Sequence, residues 1–292
     1  MNKNIYFAGK FETISIKFAN YLQKLKENNE NKVIFLFYES DIISFEDRKR
    51  LLEEHLQGLN FEIKRINGNK LINKSENEGC SGVHYRKEKS KFSKLKAVDV
   101  PLNYVYYILN NHLYIYDKIY NLMSEERYKH TVSVALTAIE IAKSNEINPN
   151  KAFIASMLHD IAKDTNTSVL NEIMQKKCIK YIDEDKVVYH QFVGEIFARK
   201  LFKIYNKDIL NSIKFHTTGR TNMTLCSKIV YSADKIEPTR GYDSKYMIDA
   251  CKNDINSGFE LVLSENMKFL RSKNIKIAGL TYDAANFYNI EL

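Results

Sequence analysis

The second half of the chain carries histidines and aspartates, residue types that bind metal ions. Their most distinctive arrangement is the pair His159-Asp160, which interrupts the apolar segment Ser156–Lys163. Burying an imidazole beside a carboxylate costs free energy unless the two are paired or bind a metal. Imidazole nitrogens and carboxylate oxygens suit iron, manganese or zinc. Further candidates follow at wide spacings: His130, His190, His216 and Asp234.

Wide spacing is typical of a helical bundle in which each ligand comes from a different helix. Any one of these histidines alone is more typical of a surface or satisfied core residue. The set as a whole favours a metal site, and paired metal ions clamp phosphate and activate water. We assign no role in such a site to His55, His84 and His112.

The segment from residue 117 onward has helical periodicity. Ser124, followed by two glutamates, predicts the start of a helix over 125–143. The pair Asn148-Pro149 predicts the start of another, which runs to about Lys163. This half shows no strand pattern, so we predict that it is all-α. The other predicted helices lie near 168–178, 189–205, 207–217, 222–235, 244–252 and 256–273.

The first half instead alternates strand and helix patterns, and this β-α-β-α-β order predicts a parallel sheet. Ser44 is the expected N-cap of the second helix, with Asp47 at its third position. The polar, turn-rich segment 67–81 predicts a loop, and the Lys- and Arg-rich segment 85–96 is interpreted as a solvated surface. The predicted strands are 4–9, 32–38 and 60–66, and the predicted helices are 14–27, 45–57 and 101–111.

The composition is that of a soluble globular protein with one large or two small domains. Of the 292 residues, 44% are hydrophobic and 27% charged, and no apolar run is long enough for a membrane span. The four cysteines form no CxxC pair and no secretory leader is recognisable, so we expect a cytoplasmic protein. The net charge of +8 fits an anionic ligand, and it fits a Lys- and Asn-rich background equally well.

Four segments of the second half resemble the HD superfamily. Arg127–His130 and Met157–Lys163 are similar to its first two motifs. Ile213–Arg220 (IKFHTTGR) and Ile229–Pro238 (IVYSADKIEP) resemble one branch, the YqeK family of symmetrical diadenosine tetraphosphate hydrolases. The resemblance covers about 117–292. It implies a helical HD domain that cleaves this dinucleotide into two ADP, with water activated by two metal ions.

The resemblance also implies roles for particular residues. It implies two divalent ions, iron or alternatively manganese, with Asp160 as the bridging ligand and Asp160 and Lys163 as catalytic residues. The implied metal ligands are His130, His159, Asp160, His190, His216 and Asp234. The implied substrate contacts are Lys163, Thr217, Thr218, Arg220, Glu237 and Arg240. Ordinary structural roles stay open for the latter set: a helix-end lysine, a C-cap around Gly219 and a surface ion pair.

Residues 1–116 resemble the nicotinate mononucleotide adenylyltransferases of the NadD family, chiefly in Gly9–Phe18 (GKFETISIKF). That family has an HxGH motif after the first strand, where it binds ATP phosphates. Here Ser15 and Phe18 stand at the two histidine positions and Lys17 at the glycine position. We therefore predict a small, truncated Rossmann-like α/β domain that has lost adenylyl transfer.

Two other functions stay open at this point. One is an HD phosphohydrolase acting on a deoxynucleotide, a guanosine alarmone or a cyclic nucleotide. The other is a nucleotide-binding regulator with an inactive N-terminal adenylyltransferase. The expected partner is a dinucleoside polyphosphate substrate. We expect no membrane or nucleic-acid partner, and a homodimer remains an option.

Overall fold

The structure is a computed structural model that describes residues 5–27, 32–40, 42–65, 83–85, 100–111 and 113–290. The chain divides into two compact units, residues 1–115 and 116–292. The predicted loop over 67–81 and all but the first residue of the basic segment 85–96 lie outside the described residues.

The first unit contains a four-stranded parallel sheet, in the order β3-β2-β1-β4. The parallel β-α-β-α-β order predicted from the sequence is confirmed, and Ser44 caps its helix by accepting the N–H of Asp47. The fourth strand was not predicted, because three residues are too few to show an alternating pattern. The strands are β1 (Ile5–Gly9), β2 (Val33–Phe37), β3 (Phe61–Arg65) and β4 (Val83–Tyr85), and the helices are α1 (Ile16–Glu27), α2 (Phe45–Glu53) and α3 (Leu102–Asn110).

Aromatic side chains pack beside the end of β1. Phe11 has a φ of 49° and stacks on Phe37 with ring centroids 4.8 Å apart. Phe18, in the first turns of α1, packs edge-on against Phe7 at 5.0 Å. These contacts form the core on this side of the sheet.

The second unit is helical throughout the residues that the structure describes, which confirms the all-α prediction. Helix α4 begins at the unit boundary, and the helices that follow pack around two apolar clusters. The helices are α4 (Ile115–Tyr120), α5 (Glu125–Ser144), α6 (Pro149–Leu158), α7 (Thr167–Lys177), α8 (Tyr189–Phe202), α9 (Lys207–Lys214), α10 (Leu225–Ile236), α11 (Lys245–Asn253), α12 (Ile255–Ser272) and α13 (Gly279–Phe287). Of the described helices, none combines the length and apolar character that a membrane span requires.

Four of the helices end three or more residues earlier than the sequence predicted. Helix α2 ends at Glu53 rather than at residue 57, and α8 ends at Phe202 rather than at residue 205. Helix α6 ends at Leu158 rather than near Lys163, and α9 ends at Lys214 rather than at Thr217. After α6 the chain continues in tight turns, with the N–H of His159 donating to Ser156 O. The reason is a competing hydrogen bond, since the His159 ring also donates to that carbonyl at 2.6 Å. Helices α4 and α13 were not predicted, because each is short and lacks a clear apolar period.

Gly258 allows α11 and α12 to approach closely, and its replacement tests this packing. A Cβ at position 258 would lie 2.5 Å from Cys251 Cα and 2.6 Å from Cys251 N, both backbone atoms. We expect Gly258→Ala to lower the free energy of unfolding by about 1–3 kcal/mol, because the backbones must separate. Chemical denaturation of the full chain measures this.

The matched control is Gly194→Ala, also within a helix. Its Cβ would lie 3.5 Å from its nearest neighbours, His159 O and Ile213 Cγ2, which is an ordinary contact. Alanine there should be neutral or stabilise by up to about 1 kcal/mol, through its higher helix propensity. Equal stability of the two variants would contradict the close approach of α11 and α12.

Candidate metal centre

The fold brings all six predicted ligand residues together from five separate segments. His130 lies on α5, His190 in the first turn of α8, and Asp234 on α10. His159-Asp160 lie in the turns that follow α6, and His216 lies just beyond the end of α9. The wide sequence spacing therefore reflects the convergence of five separate segments of the helical unit on one cluster.

The carboxylate of Asp160 is the common partner of the cluster. Its Oδ1 lies 3.3 Å from Nε2 of His190 and 3.3 Å from Nε2 of His216. Its Oδ2 lies 2.7 Å from Nη1 of Arg127 and 3.7 Å from Nε2 of His159. Only 4% of Asp160 is exposed, so these neighbours replace water around it.

Asp234 is the second carboxylate of the cluster. Its Oδ1 lies 3.2 Å from Nε2 of His130 and 3.7 Å from Nε2 of His159, and its Oδ2 accepts from Lys235 Nζ at 2.6 Å. Arg240 donates to Oδ1 at 2.7 Å. Burial alone would raise the pKa of Asp234, but Lys235, His130 and Arg240 hold it well below its usual range.

Three histidines share one type of hydrogen bond, which determines the ring nitrogen that carries the proton. In His159, His190 and His216, Nδ1 faces the backbone carbonyl three residues earlier, at 2.6, 2.9 and 2.8 Å respectively. A carbonyl only accepts, so Nδ1 carries the proton and Nε2 presents a lone pair. Burial lowers the pKa of His159 to about 3 and that of His190 to about 4, so both rings are neutral at neutral pH.

These lone pairs point at anions and at one another. Such contacts are repulsive, and a metal ion bound between them would make them favourable. His159 is fully buried, and its Nε2 has no hydrogen-bond partner among the residues that the structure describes, although two carboxylates lie 3.7 Å away. Nε2 of His190 and Nε2 of His216 are 3.3 Å apart. A cation between such groups turns repulsion into coordination, so these residues fit a metal.

The potential ligand atoms form two groups that share Asp160. One group contains His130, His159 and Asp160, and the other contains Asp160, His190 and His216. Within each group the ligand atoms all lie within 4.8 Å of one another. Asp160 is therefore the residue common to both candidate metal-binding groups.

His130 differs from the other three histidines because both ring nitrogens face carboxylates. Its Nδ1 lies 2.9 Å from Glu237 Oε1, opposite the Asp234 contact. Burial opposes the charged ring, but Asp234 and Glu237 raise the pKa of His130. Burial would also raise the pKa of Glu237, yet the hydrogen bonds from His130, Ser133 and Thr239 lower it to about 2.

The predicted substrate contacts fall into three sets. Lys163, Thr217 and Arg240 lie at the cluster: Lys163 Nζ is 3.4 Å from His190 Nδ1, and Thr217 Oγ1 is within 3.1 Å of two ring nitrogens. Thr218 and Glu237 are each 1% exposed and bonded internally. Arg220 is half-buried, and its guanidinium lies over the Phe215 ring at 5.0 Å.

Arg127 and Lys235 were not among the predicted site residues, although each touches a buried carboxylate of the cluster. The sequence position of each residue relative to a predicted ligand could have indicated its place in the cluster. Arg127 stands three residues before His130, so the two lie on one helix face. Lys235 follows Asp234 directly within the ADKIEP segment.

Comparison with known proteins places the cluster in a family. Residues 127–239 match the HD domain family, whose hydrolases are metal-dependent. The symmetrical bis(5'-nucleosyl)-tetraphosphatase of Halalkalibacterium halodurans is 35% identical over 158 residues, which are 52% of this chain and 83% of that protein. The chain belongs to this symmetrical bis(5'-nucleosyl)-tetraphosphatase family. All six predicted ligands lie within the matched HD domain.

Two further similarities extend this family assignment. A crystal structure of a predicted HD superfamily hydrolase involved in NAD metabolism, from Clostridium acetobutylicum, has a TM-score of 0.55 and 34% identity. It matches 60% of this chain and 96% of that one. A probable nicotinate-nucleotide adenylyltransferase/Ap4A hydrolase of Mycoplasma genitalium is 28% identical over 171 residues, 56% of this chain and 49% of that protein.

The unpaired Nε2 of His159 leads to a prediction for metal-linked stability. We expect Mn²⁺ to raise the unfolding temperature of metal-free protein, because a ligand that binds only the folded state stabilises it by about 2.7 kcal/mol at a hundredfold excess over its Kd. His159→Ala should lose most of this increase, since it removes a ligand atom. Differential scanning calorimetry with and without Mn²⁺ measures the change.

The control is His55→Ala in the first unit, where the ring of His55 contacts Asn103 at 3.2 Å. This variant should keep the full Mn²⁺-dependent increase. An equal response of His159→Ala and the unaltered protein would exclude His159 as a ligand.

Proposed function

We propose that the second unit hydrolyses diadenosine tetraphosphate symmetrically and releases two ADP. The observation that carries the proposal is the buried Asp160 carboxylate, shared by two groups of ligand atoms, in a chain that is 35% identical to a symmetrical tetraphosphatase. The family relationship supports the substrate, and the cluster supports the chemistry.

We assign the ligand roles within this proposal to the six clustered residues. Two divalent ions, iron or alternatively manganese, would be held there, with Asp160 contributing to both groups of ligand atoms. When bound, they supply Lewis-acid activation of water and of the phosphoryl oxygens. The proposed ligands are His130, His159, Asp160, His190, His216 and Asp234.

The chain's own cations favour a polyphosphate at this site. Arg127, Lys235 and Arg240 all touch buried carboxylates of the cluster, and Lys163 lies beside His190. Their charges suit the negative phosphates and stabilise charge that builds up on the phosphoryl oxygens during attack. Burial lowers the pKa of Lys163, although Asp160 and Asp234 act in the opposite direction.

The remaining predicted contacts divide between binding and support. We assign Lys163, Thr217 and Arg240 to the phosphate chain, because they reach the cluster. Arg220 remains a proposed phosphate contact at the end of the same turn as Thr217. The two buried residues support others instead. Glu237 fixes the ring of His130, and Thr218 bonds Gln191.

Product analysis tests the proposed reaction directly. With Fe²⁺ or Mn²⁺, we expect the protein to convert diadenosine tetraphosphate into ADP alone. In H₂¹⁸O, one ADP of each pair should carry the label on its terminal phosphate. Asp160→Asn should lower kcat by at least about a hundredfold, because the neutral amide is a poor bridging ligand.

Asp183→Asn provides the matched control, since Asp183 is exposed in the same unit. It should retain the activity of the unaltered protein. Release of AMP plus ATP would contradict symmetrical cleavage. Turnover of a deoxynucleotide, alarmone or cyclic nucleotide in place of the dinucleotide would favour the alternative substrates.

For the first unit we propose a truncated, Rossmann-like relative of the nucleotidyltransferases that has no adenylyl-transfer activity. Phe18, at the position of the second motif histidine, is used in packing against Phe7 and Phe11. Ser15, at the first position, accepts the N–H of Phe18 at 3.1 Å. Neither side chain supplies the imidazole donors that hold ATP phosphates in the motif.

This proposal predicts the outcome of a second assay. The full chain, supplied with nicotinate mononucleotide, ATP and Mg²⁺, should release no pyrophosphate above background. The phosphate-binding histidines that orient ATP are replaced. Chromatographic detection of the dinucleotide product, with an authentic adenylyltransferase as the positive control, measures whether adenylyl transfer occurs. Formation of that product would overturn the non-catalytic assignment.

A further inference from the structure

Gln191 connects the two segments that carry His190 and His216. It follows His190 on α8 and is fully buried. Its Oε1 accepts the backbone N–H groups of Thr217 at 3.1 Å and Thr218 at 3.3 Å. Its Nε2 donates to Thr218 Oγ1 at 3.1 Å. Both polar atoms of this amide therefore serve the chain that immediately follows His216.

The segment around His216 depends on such side-chain bonds because it lies outside the helix. Helix α9 ends at Lys214, and Phe215 has left the helical conformation, with φ −126° and ψ 18°. Without Gln191, the N–H groups of Thr217 and Thr218 would lose these bonds. A buried N–H left unpaired costs about 1–3 kcal/mol, so the backbone would move to satisfy it.

Movement of this backbone would change the geometry of one group of ligand atoms. The two Nε2 atoms of His190 and His216 lie 3.3 Å apart, and each is 3.3 Å from Asp160 Oδ1. His190 is fixed by α8, whereas His216 is fixed by its turn. Gln191 lies on α8 and bonds the turn that carries His216. It therefore sets the distance between the two rings.

We infer that Gln191 is a positioning residue for the metal group formed by Asp160, His190 and His216. It acts through the backbone of Thr217 and Thr218 and touches neither metal nor substrate. This inference rests on the proposed role of the cluster as a metal centre. It assigns a function to a residue that lies in none of the metal-binding motifs.

Mn²⁺ titration of metal-free full-length protein, with free Mn²⁺ followed by electron paramagnetic resonance, tests the inference. Gln191→Met keeps the length of the side chain but neither accepts nor donates a hydrogen bond. We expect it to weaken binding of one Mn²⁺ per chain by about tenfold or more, as loss of supporting partners does in other metal sites. Gln191→Glu keeps the acceptor for both N–H groups and should restore affinity to within about threefold.

The control is Gln175→Met, an exposed position on α7, which should bind Mn²⁺ as the unaltered protein does. If Gln191→Met does not fold, Gln191→Asn replaces it. Its amide is one methylene too short to reach the turn, so the same weakening is expected.

Two results would overturn the inference, and they are distinguishable. A lower unfolding temperature of metal-free Gln191→Met with unchanged Mn²⁺ affinity would mean that Gln191 serves folding alone. Absence of Mn²⁺ binding by the unaltered protein would remove the proposed metal centre itself, and with it any positioning role.

Discussion

The structure of the second unit depends on one electrostatic constraint, the buried Asp160 carboxylate beside imidazole lone pairs. Nε2 of His190 and Nε2 of His216 face its Oδ1, and Nε2 of His159 lies near its Oδ2. Neither a carboxylate nor these ring nitrogens can donate a hydrogen bond to the other. Such a core is stable only when cations compensate it. Arg127 supplies one positive charge, and metal ions suit the remaining lone pairs.

Three of the histidines around this carboxylate lie at the ends of helices rather than in their middles. His159 and His216 lie just past the last turns of α6 and α9, and His190 lies in the first turn of α8. Each ring donates to the carbonyl three residues earlier. At His159 that bond competes with the helical backbone bond and also selects the ring nitrogen that faces the cluster. At His159, the same hydrogen bond therefore ends the helix and orients the ring toward the cluster.

Residues at positions typical of a functional site have different roles in the two units. In the second unit, polar residues inside apolar segments mark a site, because their partners converge from other helices. In the first unit, Ser15 and Phe18 stand at the two positions where the adenylyltransferase motif that this segment resembles has phosphate-binding histidines, and both make local contacts instead. Phe18 packs with Phe7 and Phe11, and Ser15 caps the adjacent backbone. These local contacts are the structural basis of the proposal that the first unit is non-catalytic.

The sequence by itself determined the elements whose signals are local. Ser124, Asn148 and Ser44 fixed helix starts, because each cap bonds a backbone N–H within three residues. The residue types of the metal cluster were also evident from burial cost and family motifs. Only the tertiary structure decided which atoms face one another. Arg127 against Asp160 and Gln191 against the His216 turn are pairings between distant segments. They have no sequence period, because they arise from packing between helices.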